Sequence, residues 1–306
     1  MDNNFNIPLE YLTDDEVAEL SKVVGRLEEV SKRDESQKDF MSFVKNVWPT
    51  FVEGSHHKIY AEKLQKVAEG KIKRLIVNMP PRHTKSEFAS YLFPSWLMGR
   101  KPDTKIIQAT HTAELAVGFG RKVKNLIDSD IYRDVFPDLA LASDAKASGR
   151  WSTSKGGEYY AVGVGGALAG RGADLCIIDD PVSEQDALSP TALDNIYEWY
   201  TSGPRQRLQP GGSIIIVMTR WSIRDLTAKV LAKQAEGGAD NWEVVEFPAI
   251  FPETDNVLWP EYWQREELEA VRASIPVAKW NAQYLQNPTA EEGAIIKREW
   301  WNVWDS

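Results

Sequence analysis

From Lys73 onward, short unbroken apolar runs alternate with stretches of helical periodicity. The runs are Leu75–Asn78, Lys105–Thr110, Leu175–Ile178, Ser213–Met218 and Trp242–Phe247. Between most of them lie helical patterns over Lys85–Met98, Ala113–Ile127, Pro190–Tyr200 and Ile223–Ala235. Val, Ile and Leu in succession, without polar alternation, suit strands buried on both faces, as in a parallel sheet. Strand alternating with helix predicts a three-layer α/β domain with right-handed crossovers, over roughly residues 36–290. In such a sheet, ligands gather at the carboxyl ends of the strands. Ser222 and Asp225 have the spacing of a capping box for the last of these helices.

Ahead of this rhythm, Thr13 to roughly Ser31 reads as a separate helix. Thr13 and Glu16 again have capping-box spacing, and Val17, Leu20, Val24 and Leu27 recur on one face. The polar run SKRDESQKDF is expected to separate this helix from the body, which makes residues 1–35 an appendage. At the other end, residues 291–306 read as a linker running into a further apolar segment.

Composition narrows the class. The 306 residues are 42% hydrophobic and 26% charged, an ordinary globular balance. No apolar run approaches the roughly 20 residues of a membrane helix, and the acidic N-terminus lacks a signal-peptide core. The single cysteine, Cys176, excludes an internal disulfide and a cysteine-based zinc cluster, which fits a reducing intracellular setting. Only four histidines are present, and no carboxylate spacing completes a histidine metal site. Of the twelve tryptophans, Trp280, Trp300, Trp301 and Trp304 crowd the C-terminal end, in the manner of core or interface packing. A net charge of −9 argues against a surface that wraps nucleic acid as a whole. It leaves room for local basic faces, with Lys146, Arg150 and Lys155 in one loop and Arg121, Lys122 and Lys124 in one helix as candidates.

The chemistry begins in RLIVNMPPRHTKSE, residues 74–87. It resembles a phosphate-binding loop, G-x-x-x-x-G-K-[ST], whose two glycine positions are taken by Met79 and Thr84. The loop follows a short apolar strand, ends in Lys-Ser, and opens a helical pattern through Phe88, Tyr91, Leu92 and Leu97. That order aims backbone N–H groups and the positive end of a helix at a bound phosphate. Pro80 and Pro81 have no N–H, so the donors must come from Arg82, His83, Thr84, Lys85 and Ser86. In this reading Lys85 bridges the β- and γ-phosphates and the Ser86 hydroxyl binds magnesium.

A second strand, LCIIDD, ends in Asp179 and Asp180. Phosphoryl transfer needs a carboxylate for the metal and a base that orients water, roles suited to Asp179 and Asp180 respectively. The lysine and acid motifs are expected at the mouths of neighbouring strands. A third strand, SIIIVMTRW, ends in Thr219-Arg220 and offers, between the acid-bearing and lysine-bearing tips, a hydroxyl that could sense the γ-phosphate and report hydrolysis.

Taken together, NMPPRHTKSE, GRGADLCIIDDP and VMTRW resemble the large terminase subunit of tailed bacteriophages, over about residues 48–288. The resemblance implies a RecA-like, additional-strand P-loop ATPase with a mostly parallel sheet, using ATP and Mg2+ to drive double-stranded DNA into a procapsid. It further implies a homo-oligomeric ring, typically a pentamer, at the portal protein, with the small terminase subunit as partner, in the host cytoplasm and away from membranes. By resemblance, Arg82 contacts the γ-phosphate in cis, Arg171 is an arginine finger reaching a neighbouring subunit, and Thr219 belongs to the coupling motif. Relatives often read PPRHGKSE, so Thr84 is a departure, and they place base recognition in the segment containing His56, His57 and Tyr60. Packing is the commoner role for such residues. Large terminases usually carry a ribonuclease-H-like domain after the ATPase, so DNA cutting is expected to be absent from this chain. Two readings compete: another nucleic-acid ATPase of helicase type, and a degenerate nucleotide-binding scaffold.

Overall fold

The structure, a computed structural model, describes residues 13–289. The predicted linker 291–306 and Trp300, Trp301 and Trp304 lie outside the described residues.

A seven-stranded sheet runs through the body in the order β3-β4-β2-β5-β6-β1-β7. Its strands are β1 (Arg74–Asn78), β2 (Lys105–Thr110), β3 (Arg150–Ser152), β4 (Glu158–Gly163), β5 (Ala173–Asp179), β6 (Leu208–Met218) and β7 (Glu243–Glu246). All neighbours pair in parallel except β3, which runs antiparallel to β4. Successive residues of the central strands bury on opposite sides, as strand geometry requires. Leu75, Val77, Ile177, Ile215 and Val217 join one core, while Ile76, Cys176, Ile178, Ile214 and Ile216 join the other. Both faces are therefore covered, which is why these strands read as continuous apolar runs.

The helices supply the outer layers. The first core receives α2 (Phe40–Val47), α3 (Ser55–Ala68), α4 (Phe93–Arg100), α5 (Ala113–Ile127) and α6 (Asp130–Val135). The second receives α7 (Pro190–Ser202) and α8 (Leu226–Ala235). A small third core around Ala249, Ile250, Leu268 and Trp280 brings in α9 (Arg265–Ser274) and α10 (Val277–Gln283). The three-layer α/β architecture is as expected.

Several local expectations change. The N-terminal helix α1 (Asp14–Lys38) starts at the Thr13–Glu16 capping box, with Thr13 N–H donating to Glu16 at 2.8 Å. It runs straight through the polar stretch expected to be a separator. Its last turns dock on the body: Ser36 is buried, and its carbonyl accepts from the Trp96 indole at 2.9 Å. Helix α8 begins at Leu226, and Asp225 is its N-cap, accepting from Ala228 N–H at 3.0 Å. The box proposed for Ser222 is thus replaced by a busier Asp225, whose second oxygen takes the Arg220 guanidinium at 2.9 Å and Trp221 N–H at 3.1 Å. Strands β3 and β4 were not anticipated. The former is three residues long, and in the latter Tyr160 and Ala161 are only half-buried, so no continuous apolar run marks it.

Three of the four histidines are buried. Removal from water pushes the imidazoles of His56, His57 and His83 down to about 3, about 2 and about 4 respectively. A folded pKa below the unfolded value of about 6.5 means that unfolded chains take up protons which folded chains refuse. Stability from this source is complete above pH 6.5 and falls as the pH drops below it. Each such histidine contributes a slope of about 1.4 kcal/mol per pH unit. Replacing His56 with Leu is expected to flatten the pH dependence of unfolding free energy by that amount between pH 6 and 4.5, as read by urea melts.

Candidate nucleotide site

The loop after β1 is built from strained residues. Arg82 and Thr84 both hold left-handed backbone, with φ of 61° and 67°. For residues with a Cβ this costs about 1–3 kcal/mol each, and Thr84 carries the added crowding of a β-branch. Thr84 stands where a phosphate-binding loop usually has its second glycine, so the glycine-type conformation survives without the glycine. Phe88 is the first residue whose N–H bonds back along the helix, to the Thr84 carbonyl at 3.1 Å. The amides ahead of it lie on an unsatisfied first turn, the arrangement that favours an anion.

That helix starts unusually. Residues Glu87–Leu92 form a π-helical segment that passes directly into α4. It turns two hydroxyls toward one acid: Ser86 Oγ donates to Asp179 Oδ1 at 2.9 Å and Ser90 Oγ to Asp179 Oδ2 at 2.7 Å. Asp179 is the last residue of β5 and is fully buried. Asp180, just beyond, has φ of 41° and lies half-open at the strand tip. One of its oxygens pairs with the Lys85 ammonium at 2.7 Å, and the other accepts the Thr219 N–H at 2.8 Å.

The lysine and acid strands are not neighbours. Strand β6 lies between β1 and β5, so that expectation is corrected, and the tip bearing Thr219 sits between the other two. Thr219 bridges the gap: its N–H holds Asp180, and its hydroxyl donates to the Met79 carbonyl at 3.1 Å. Next to it, Arg220 N–H donates to Gln286 at 3.1 Å.

Burial pushes the Asp179 carboxyl up, and Asp180 beside it adds to this; Lys85, Ser90 and Ser86 pull the other way, leaving it at about 7. For Lys85, burial disfavours the charge, but the pull of Asp180 and Asp179 outweighs it and the ammonium lies above its ordinary range.

Lys85, Asp180 and Thr219 line a cavity of about 720 Å3, together with His111, Thr112 and Glu184 among others. Ligand clefts commonly span about 300–1,000 Å3. It opens at the carboxyl ends of β1, β2, β5 and β6, where a doubly covered sheet places its ligands. A carboxylate and a hydroxyl 2.9 Å apart, Asp179 and Ser86, are the hard oxygen donors that magnesium takes.

The other sequence candidates are distributed differently. The Arg82 side chain is exposed and makes no ion pair among the described residues. His83 is buried, its Nδ1–H donating to the Pro81 carbonyl at 2.8 Å and its ring stacked on Trp263, so its side chain takes no part in the cavity. Arg171 precedes β5, at the end opposite Asp179, and stacks over Tyr160 at 4.0 Å. It takes no part in this chain's own cluster. His56, His57 and Tyr60 are buried beneath the loop and offer no face to a base. Ser90 and Tyr60 were not recognised as loop anchors. Ser90 follows Ser86 by four residues, a helical spacing that could have revealed it. Away from the cavity, the two basic segments touch, Lys124 Nζ donating to the Lys146 carbonyl at 3.2 Å, and Arg121, Lys122, Lys146, Arg150 and Lys155 are exposed.

No protein-family model matches the sequence, and no curated protein matches it. Solved structures do. A point mutant of the ATPase domain of the Thermus phage P74-26 large terminase is similar over 80% of this chain and 97% of that one, with TM-score 0.51 and 16% identity. The large terminase of bacteriophage HK97 is similar over 82% of this chain and 55% of that one, with TM-score 0.53 and 11% identity. The chain thus spans about half of the HK97 protein and nearly all of the P74-26 domain. At these identities the likeness is one of fold: the seven-stranded, mostly parallel α/β sheet has the architecture of phage large terminase ATPase domains.

Proposed function

We propose that this chain is the ATP-hydrolysing motor domain of a phage large terminase, which drives double-stranded DNA into a procapsid. One observation carries the reading: Lys85, Asp180 and Thr219, drawn from three strand tips, line one cavity in a terminase-like fold, with the Ser86–Asp179 hydrogen bond directly behind them. The sequence resemblance supports it independently.

In this reading the triphosphate enters over the first turn of the helix, and Lys85 exchanges Asp180 for the β- and γ-phosphates. Ser86 and Asp179 are the residues that would hold magnesium, which would supply charge neutralisation at the transferring phosphoryl group. Release from Lys85 leaves the Asp180 carboxylate still fixed by the Thr219 amide, where it can accept a proton from the attacking water. The water oxygen bonds to the γ-phosphorus as the bond to the bridging oxygen breaks, yielding ADP and phosphate. Thr219 would sense the change through the same amide, its hydroxyl tied to the lysine-bearing strand. Arg82, exposed on the same loop, is proposed to reach the γ-phosphate from the same subunit. Arg171 is proposed to act on a neighbour's nucleotide within a homo-oligomeric ring, where a cation stabilises the spread charge. The joined basic segments around Lys124 and Lys146 are the proposed DNA track, gripping phosphates without reading sequence. Portal protein and small terminase subunit are the proposed partners, in the host cytoplasm.

Phosphate release from ATP tests the core of the proposal. Asp180→Ala should lower turnover by about 100-fold or more while nucleotide still binds, since a positioned base is worth roughly 10²–10⁴. Lys85→Ala should abolish binding. Turnover indifferent to Asp180→Ala would favour a degenerate scaffold, and ATP-driven unwinding of a forked duplex would favour a helicase.

Asp179 predicts an opposition between stability and activity. Its raised pKa means that stability is greatest at low pH, where the carboxyl keeps its proton, and declines as the pH rises toward 7. Asp179→Asn is expected to raise the melting temperature at pH 8, with the gain vanishing below pH 4, and to eliminate magnesium-dependent hydrolysis. A lower melting temperature at pH 8 would contradict this account.

The trans role of Arg171 is tested by mixing. Lys85→Ala and Arg171→Ala chains, each inactive alone, should recover part of the wild-type turnover at mixed interfaces. Absence of recovery in mixtures that do assemble would remove Arg171 from the mechanism.

A further inference from the structure

Helix α3 lies under the candidate phosphate loop and touches it twice. His57 Nε2 is 2.7 Å from the Thr84 hydroxyl, and the Tyr60 hydroxyl donates to the Lys85 carbonyl at 2.9 Å. Three residues apart, these side chains share one helical face. They meet consecutive residues of the loop.

The hydrogen-bond direction at His57 is determined by its surroundings. The Gly54 N–H, which can only donate, lies 2.8 Å from Nδ1, so Nδ1 accepts and the proton sits on Nε2. Nε2–H then donates to Thr84 Oγ1, whose own proton goes to the His83 carbonyl at 2.5 Å. One chain of bonds thus runs from the start of α3 into the loop. The imidazole has little freedom: it stacks on Phe88 at 5.2 Å and meets Phe51 and Trp259 edge-on at 4.8 and 4.9 Å. Gly54 is also required in place, since a Cβ there would lie 2.6 Å from the Trp259 ring.

What this chain of bonds holds is the one residue of the loop with a β-branched side chain in left-handed backbone, Thr84 at φ 67°. Glycine takes that conformation freely and needs no anchor. Threonine does not, and persists there only if its surroundings over-determine it. We propose that His57 is a positioning residue for the phosphate loop, which locks Thr84 in a glycine-like conformation so that the amides of Arg82–Ser86 stay aimed at a nucleotide phosphate. His57 and Thr84 are then a matched pair that replaces the missing glycine, with Tyr60 securing the next peptide. The inference rests on the reading of this loop as a nucleotide site.

A double-mutant cycle separates positioning from general support of the core. ATP affinity is measured by calorimetry for the full chain, for His57→Phe, for Thr84→Gly and for the double variant; Phe keeps the ring packing and removes both hydrogen bonds. With Thr84 present, His57→Phe should weaken ATP binding by at least 10-fold; with Thr84→Gly it should weaken it by less than 3-fold. Equal losses in both backgrounds overturn the proposal. Should His57→Phe fail to fold, the test moves to Thr84 itself. Thr84→Ser, which keeps the hydroxyl, should retain affinity within about 3-fold, and Thr84→Val, which keeps the shape alone, should lose at least 10-fold. Equal affinities for the Ser and Val variants would overturn the proposal equally. If the unaltered chain binds no ATP, the nucleotide reading fails, and the pairing is then read from hydrogen exchange of the Arg82–Ser86 amides. Faster exchange on Thr84→Val but not on Thr84→Ser supports the anchor; the same rate for both overturns it.

Discussion

A buried lysine held between two acids is the constraint on which the rest of the molecule depends. An ammonium taken out of water loses several kcal/mol unless a counter-charge is close. Here Asp180 at 2.7 Å provides that charge, and Asp179 behind it, buried and next to Asp180, keeps its proton to about pH 7. Lys85 is far in sequence from the two adjacent acids: it follows β1, whereas Asp179 ends β5 and Asp180 comes directly after it. They meet because β6 separates those strands by one sheet position and all three run parallel. A register slip of one residue would turn the wrong face of each strand toward its core. The two apolar cores therefore fix the charges as firmly as the charges fix each other.

A polar pair of this kind also has a direction of exchange. The lysine makes its ion pair with the more exposed acid, while the deeper acid is bound by the hydroxyls of Ser86 and Ser90. In the proposed function a polyanion would compete for Lys85 at the open side, and a hard cation would compete with the proton of the deeper Asp179. The two competitions would then fall on different carboxylates, so that nucleotide and metal need not displace the same contact.

Much of this was legible in the sequence. The central strands announced themselves because burial on both faces leaves no polar alternation, and β2 was placed at its observed limits. Helix α5 was equally clear, since its apolar face and its Thr112 cap agree. The chemical groups stood out because they follow strands directly. The Thr219 hydroxyl lies between the acid and lysine tips as expected, but nothing local shows that a whole strand separates those two, which were expected side by side. Also illegible was the layer beneath the loop. In SHHKIY, histidine and tyrosine could as well have faced a ligand, and only the fold shows His57 and Tyr60 turned inward. The edge pair β3 and β4 escaped notice because half-buried strands lack the pattern on which the reading relied.

The two margins of the sheet carry a consequence of their own. One is formed by β3, three residues long and led by exposed Arg150; the other by β7, four residues bounded by Glu243 and Glu246. Short, charged borders offer a poor template for backbone pairing with another chain. Copies of this protein that come together would have little to gain from extending one continuous β-ribbon. Side chains on the helices and loops would have to define such a contact, and contacts of that type can loosen and reform without unzipping any strand.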